Sequence, residues 1–221
     1  MENDTQKVKD ENLRFFGKIV ASISHEIKNV MAIINEKAGL LKDLTLMTEK
    51  GVALDPIRIQ TLAEDLKLQI KRGDAIVQNM NKFAHSVDED IQQVDLDELA
   101  DLMTLLAERF ASRMVVTLNL KTSENARKIR THPFLLEFLI WECLSFAMET
   151  CEKDGTVNIM IKRSENAAEV RFALTKNRFT DPLSSFPDDS TKKLMKELQA
   201  NLMIDSETGE LVLSLPAELY T

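Results

Sequence analysis

The sequence predicts an α+β protein. It opens with an antiparallel helical hairpin that pairs with a second copy into a dimeric four-helix bundle, and continues as an α/β sandwich. Three observations carry this. Leu13, Phe16, Val20, Ile23, Ile27, Val30, Ile34, Leu41 and Leu44 recur at alternating three- and four-residue steps, broken only at Lys37. That is a heptad seam, the mark of a helix packed lengthwise against other helices. Ile59, Leu62, Leu66, Ile70, Ile76, Val77, Met80, Phe83 and Ala84 make a second seam. Beyond residue 95, apolar helical stretches mix with alternating runs, the pattern of helices layered on a sheet.

Residues 1–11 are polar and read as frayed, with the first helix over Glu11–Thr48. Gly51 and Val52–Leu54 form the turn. Asp55 is an N-cap with Pro56 at the first helical position, and the second helix runs to about Ser86. Two long amphipathic helices on a short turn form an antiparallel hairpin. One hairpin alone leaves too much apolar surface uncovered, which predicts a homodimer.

The expected domains are 1–87, a linker at 88–94 containing Asp88-Glu89-Asp90 and Gln92-Gln93, and 95–221. Asp95 with Glu98 makes a capping-box-like start to a helix ending near Arg113. Strands are expected at Met114–Leu120, Lys128–Thr131, Thr156–Lys162, Ala168–Thr175, Asn201–Asp205 and Glu210–Leu215. An apolar helix opens at Pro133 and runs Phe134–Cys151. A loop over Lys176–Asp189 holds Pro182 and Pro187, and another helix covers Thr191–Ala200.

The chain has 221 residues and a formal charge of −8, with no basic cluster. A nucleic-acid or anionic-membrane surface is therefore not expected. No apolar run approaches the roughly 20 residues of a membrane span, and the polar N-terminus does not read as a signal peptide. Cys143 and Cys151 both fall in the apolar helix and read as core thiols, which fits a reducing, cytoplasmic location. His25, His85 and His132 are the only histidines, so no Cys/His zinc cluster is expected.

His25 takes the f position of the first seam and so points to water. Glu26 follows it, and Asn29, four residues on, shares its face. An exposed imidazole beside a carboxylate and an amide has what a phosphate-accepting histidine needs: a free nitrogen, a group to orient or deprotonate the ring, and a group to hold water. Ala21, Ser22 and Ala32 keep the surroundings low, and Met31 offers adaptable contact. His132, His85, Trp141 and Arg72 read respectively as a residue leading into a helix, a helix-terminal cation, core, and a surface ion-pair partner.

Ser24-His25-Glu26-Ile27-Lys28-Asn29 resembles the H-box of bacterial two-component histidine kinases, in their dimerisation and histidine-phosphotransfer domain. The resemblance implies that His25 carries a phosphoryl group, that Glu26 is its acid–base partner, and that Asn29 positions water. The element order of 95–215 is similar to the ATP-binding lobe of the same kinases, but its chemistry departs from theirs. Glu142 and Phe146 stand where the family carries its two box asparagines, and Phe cannot ligate a hard cation. After Val170–Leu174 the chain reads Thr175-Lys176-Asn177-Arg178-Phe179-Thr180, without the family's Asp and glycines. Of six glycines only Gly155 and Gly209 lie in this half, unclustered. The lid segment is shortened.

The resemblance thus implies a degenerate kinase lobe without ATP-dependent autophosphorylation. The expected function is a histidine phosphotransferase, which moves a phosphoryl group between receiver-domain aspartates through His25. It needs no cofactor of its own, because the receiver supplies Mg²⁺. The expected partners are response-regulator receivers, a second copy of the chain and an upstream hybrid kinase. A receiver phosphatase acting through Asn29, and a non-catalytic dimeric scaffold or inhibitor, are the alternatives.

Overall fold

The structure is a computed structural model and describes residues 2–121, 128–163, 167–179 and 186–219. The chain divides into two compact units, Gly17–Ala84 and a lobe formed by the residues up to Phe16 together with those from His85 onward. Helix α1 (Glu2–Glu49) contributes to both.

In the first unit, α1 is followed by helix α2 (Pro56–His85). Gly51 takes a left-handed φ of 87°, which ends α1, and its N–H reaches the Thr48 carbonyl at 2.9 Å. Asp55 caps α2 as expected, accepting from the Ile57 N–H at 2.9 Å. The helices run antiparallel. Lys37 of α1 pairs with Asp65 of α2 at 2.7 Å, which is why the seam tolerates a lysine there. One step nearer the N-terminus of α1, a Cβ placed on Gly73 would lie 3.4 Å from Val30 Cγ1. Gly73 therefore marks the close approach of the two helices.

The seams differ from expectation in two ways. Leu13 is 70% exposed, while Phe15 and Ile19 are buried and Phe16 and Val20 only partly so. The cause is Phe15, which stacks on Phe138 of the lobe at 4.6 Å and 9° and also lies near Phe134 and Trp141. Ile70 and Val77, expected in the second seam, are 53% and 41% exposed. The segment 2–11 is helical rather than frayed, since neither Gly nor Pro interrupts it.

The lobe follows with β1 (Gln92–Asp95), α3 (Leu96–Met114), β2 (Thr117–Lys121), β3 (Lys128–Thr131), α4 (Pro133–Thr150), β4 (Thr156–Arg163), β5 (Ala167–Leu174), α5 (Asp189–Glu197), β6 (Asn201–Ile204) and β7 (Leu211–Pro216). Four residues of the expected linker and capping region thus form a strand: β1 pairs antiparallel with β3, Val94 opposite Ile129, in a small sheet of its own. The main sheet has the order β2-β4-β5-β7-β6, with β2 and β4 parallel and the other neighbours antiparallel. The strand expected from Met114 starts at Thr117, because α3 runs through Met114. Val115 then turns left-handed at φ 59° to bond back to Ala111 and Ser112. Asp95 caps α3 through the N–H groups of Asp97 and Glu98. The segment 180–185, with Pro182 and part of the expected lid, lies outside the described residues.

Period-two alternation builds the core side of the sheet. Ile159 sits opposite Phe172, Val170 opposite Leu213 and Phe172 opposite Leu211, all buried. Helix α4 is apolar on nearly all sides and buries eleven of its eighteen residues, so it forms the centre of the helical layer, touching α3, α5 and β5. Trp141 meets Phe110 edge-on at 4.8 Å, inside this core as expected. Cys143 and Cys151 are buried free thiols, and burial pushes both up.

Candidate functional site

His25 lies in the middle of α1, about ten turns of unbroken backbone hydrogen bonding at 3.6 residues per turn on either side combined. Its side chain is exposed, as the f position predicts. Asn29 is exposed too, and at ~100° per residue it lies only about 40° round the helix from His25. Glu26, next in sequence, is half-buried and turned about 100° away, toward the packed side. The helix therefore groups His25 and Asn29 on one open face, with Glu26 at its edge. Ala21 and Ala32 are exposed on the same stripe and leave the imidazole unobstructed.

Two expected members of this surface differ. Ser22 is buried, because it falls on the packed flank. Met31 is 59% exposed, but six residues place it about 120° round from His25, so it does not share the histidine's face. Among the described residues Arg72 forms no ion pair, contrary to the surface pairing expected for it. His85 Nδ1 meets Asp88 Oδ2 at 2.6 Å on the surface. His132 precedes α4 with extended backbone and makes no side-chain cap.

In the lobe, Glu142 and Phe146 both lie half-buried on α4. The Phe146 ring stacks on Phe186 at 4.6 Å and 11°, and on Phe179 at 5.7 Å and 25°. Phe179 follows β5, where the family's Asp and glycines are missing, and Phe186 precedes α5. Three segments thus converge on one apolar cluster that sequence spacing does not disclose, since the rings are separated by long loops. Among the described residues no three His, Cys, Asp or Glu side chains gather as a metal site.

Sequence reasoning also missed two polar features. Glu137 on α4 is buried and accepts from Ser86 Oγ at 2.7 Å; burial pushes its carboxyl up to about 8, against the opposing effect of that hydrogen bond. Arg171 on β5 holds Glu169 at 2.8 Å, Asp205 at 3.0 Å and Glu210 at 2.9 Å. It ties the β6–β7 turn to the sheet, and the backbone N–H groups of Thr208 and Glu207 help hold Asp205 below the usual carboxylate range.

No protein-family model matches the sequence, and no curated protein matches it. Solved structures do. A nucleotide-free form of the catalytic domain of histidine kinase ThkA aligns with a TM-score of 0.51 at 11% identity, covering 60% of this chain and 100% of that one. A second nucleotide-free form gives 0.50 at 10% identity over the same shares. The described lobe therefore has the fold of a histidine-kinase catalytic domain. Histidine kinase ThkA in complex with response regulator protein TrrA aligns at 0.50 with 16% identity, covering 98% of this chain and 66% of that one. The likeness thus extends in fold beyond the lobe to nearly the whole chain. No described helix is long and apolar enough to cross a membrane.

Proposed function

We propose that the protein is a histidine phosphotransferase of a two-component phosphorelay. It accepts a phosphoryl group from the aspartyl phosphate of one receiver domain onto His25 and passes it to a second receiver, without phosphorylating itself from ATP. The observation that carries this reading is the pairing of two opposite features in one chain. The phosphoacceptor face is complete and open, with His25 and Asn29 exposed side by side on a rigid helix. The lobe, by contrast, has an aromatic stack at Phe146 in place of a nucleotide-holding amide.

The transfer asks little of this chain. Neutral His25 attacks in line, Glu26 balances the proton on the other ring nitrogen, and the receiver supplies Mg²⁺. A long helix suits the task because a misplacement of ~1 Å costs about a hundredfold in such steps. A receiver as partner is supported by the kinase–response regulator complex whose kinase shares this fold. An upstream hybrid kinase would be the natural donor. The second copy expected for the hairpin is supported by Met31, Ile70 and Val77. These residues are 59%, 53% and 41% exposed on a unit whose seams call for cover.

A receiver phosphatase is the second reading, favoured by the exposed amide of Asn29 beside His25. The test is label transfer from a ³²P-phosphorylated receiver. Label on the wild type and none on His25→Ala supports the relay. Free phosphate released with no labelled protein supports the phosphatase.

A further inference from the structure

We propose that Lys28 contacts the phosphoryl group carried by His25 and steadies it during transfer. This deepens the phosphohistidine reading and rests on it. Lys28 lies one turn beyond His25, at the i+3 position, about 60° round the helix axis. Its side chain is exposed and, among the described residues, forms no ion pair. The residues three and four away on either side are His25, Ser24, Met31 and Ala32, none of them acidic. Glu26, two residues back, lies about 160° round the helix and is half-buried. Lys37 on the same helix is held instead by Asp65 at 2.7 Å. The hairpin thus neutralises the lysine on its packed side and leaves an uncommitted ammonium beside the imidazole. Ala21 and Ala32 give that ammonium room to swing over the ring.

The chemistry requires such a charge. In the transfer the P–O bond to the donor aspartate breaks and its electron pair stays on the leaving carboxylate. A P–N bond forms from the lone pair of one His25 ring nitrogen. The proton on the other nitrogen stays until Glu26 or water takes it. The phosphoryl oxygens remain anionic throughout, and an ammonium within hydrogen-bonding reach stabilises them as a point charge.

The test uses the full chain, loaded with phosphoramidate so that no receiver is needed. In ³¹P NMR the phosphohistidine signal titrates at lower pH in wild type than in Lys28→Met, because a nearby cation favours the more ionised phosphoryl group. Lys28→Arg restores the lower midpoint. With a phospho-receiver as donor, Lys28→Met lowers kcat roughly tenfold, less than the loss of a buried oxyanion donor, with KM little changed. Equal midpoints in wild type and Lys28→Met, or an effect confined to KM, would overturn the proposal and leave the relay standing. If neither donor loads wild-type His25, the phosphohistidine reading fails and this proposal falls with it.

Discussion

Phe146 on α4 stacks face to face on Phe186, ring centroids 4.6 Å apart and planes 11° from parallel. With Phe179 the pair closes the end of α4 by apolar contact. A nucleotide-binding lobe would need oxygen and amide groups and a close-approaching backbone at this place.

Truncating that stack should therefore cost stability rather than free a site. Phe146→Ala is expected to destabilise the chain by about 2–3 kcal/mol, toward the low end for Phe because the ring is half-buried. Phe146→Asn should do no better at binding Mg–ATP, since no glycine loop accompanies it. Urea unfolding gives the first quantity and calorimetric titration the second. Micromolar binding by Phe146→Asn would show that the aromatic ring alone blocks the site.

Glu137 makes stability depend on pH. Its carboxyl is raised to about 8 by burial, so the folded chain holds this proton more tightly than the unfolded one. The stabilisation is complete below the ordinary glutamate value, drains as pH rises, and is lost above about 8. Glu137→Gln keeps an acceptor for Ser86 and removes the titration. Wild type and variant should be similar near pH 4, and the variant should gain by roughly 4 kcal/mol at pH 9, an upper figure. Unfolding free energies that run parallel across this range would contradict the assignment.

Phe15 joins the start of α1 to the lobe by stacking on Phe138 at 4.6 Å. Phe15→Ala should cost about 3–4 kcal/mol, as for a buried Phe. Leu13→Ala, two residues earlier and exposed, should cost within ~0.5 kcal/mol. Denaturant unfolding of both variants separates the register seen here from a seam through Leu13, which predicts the reverse order.

The apolar flank of the hairpin can be tested without touching the fold of one chain. Ile70 and Val77 are exposed, so the double variant Ile70→Glu, Val77→Glu should keep its helicity by circular dichroism and sediment as a monomer at micromolar concentration. A wild type that is itself monomeric there would remove the dimer from the proposal.

Much of this architecture was legible in the sequence because local chemistry dictates it. Asp55-Pro56, Asp95 with Glu98, Pro133 and Gly51 mark helix ends by capping and φ preference, and they do so in the structure. The exposure of His25 followed from its place between seam residues Ile23 and Ile27. What escaped depends on distant partners. Phe15 rather than Phe16 is buried because Phe138 lies more than a hundred residues away. Strand β1 is short and polar, and only its pairing with β3 makes it a strand. The Phe146–Phe179–Phe186 cluster and the Ser86–Glu137 bond likewise join segments that carry no periodic signal toward each other.

The most direct measurement compares two phosphoryl donors on the same preparation: [γ-³²P]ATP with magnesium, and a ³²P-phosphorylated receiver domain. The account predicts acid-labile label on the protein from the receiver alone, absent in His25→Ala and passed on to a second receiver. Label acquired from ATP, or none acquired by wild type from any receiver, would contradict it.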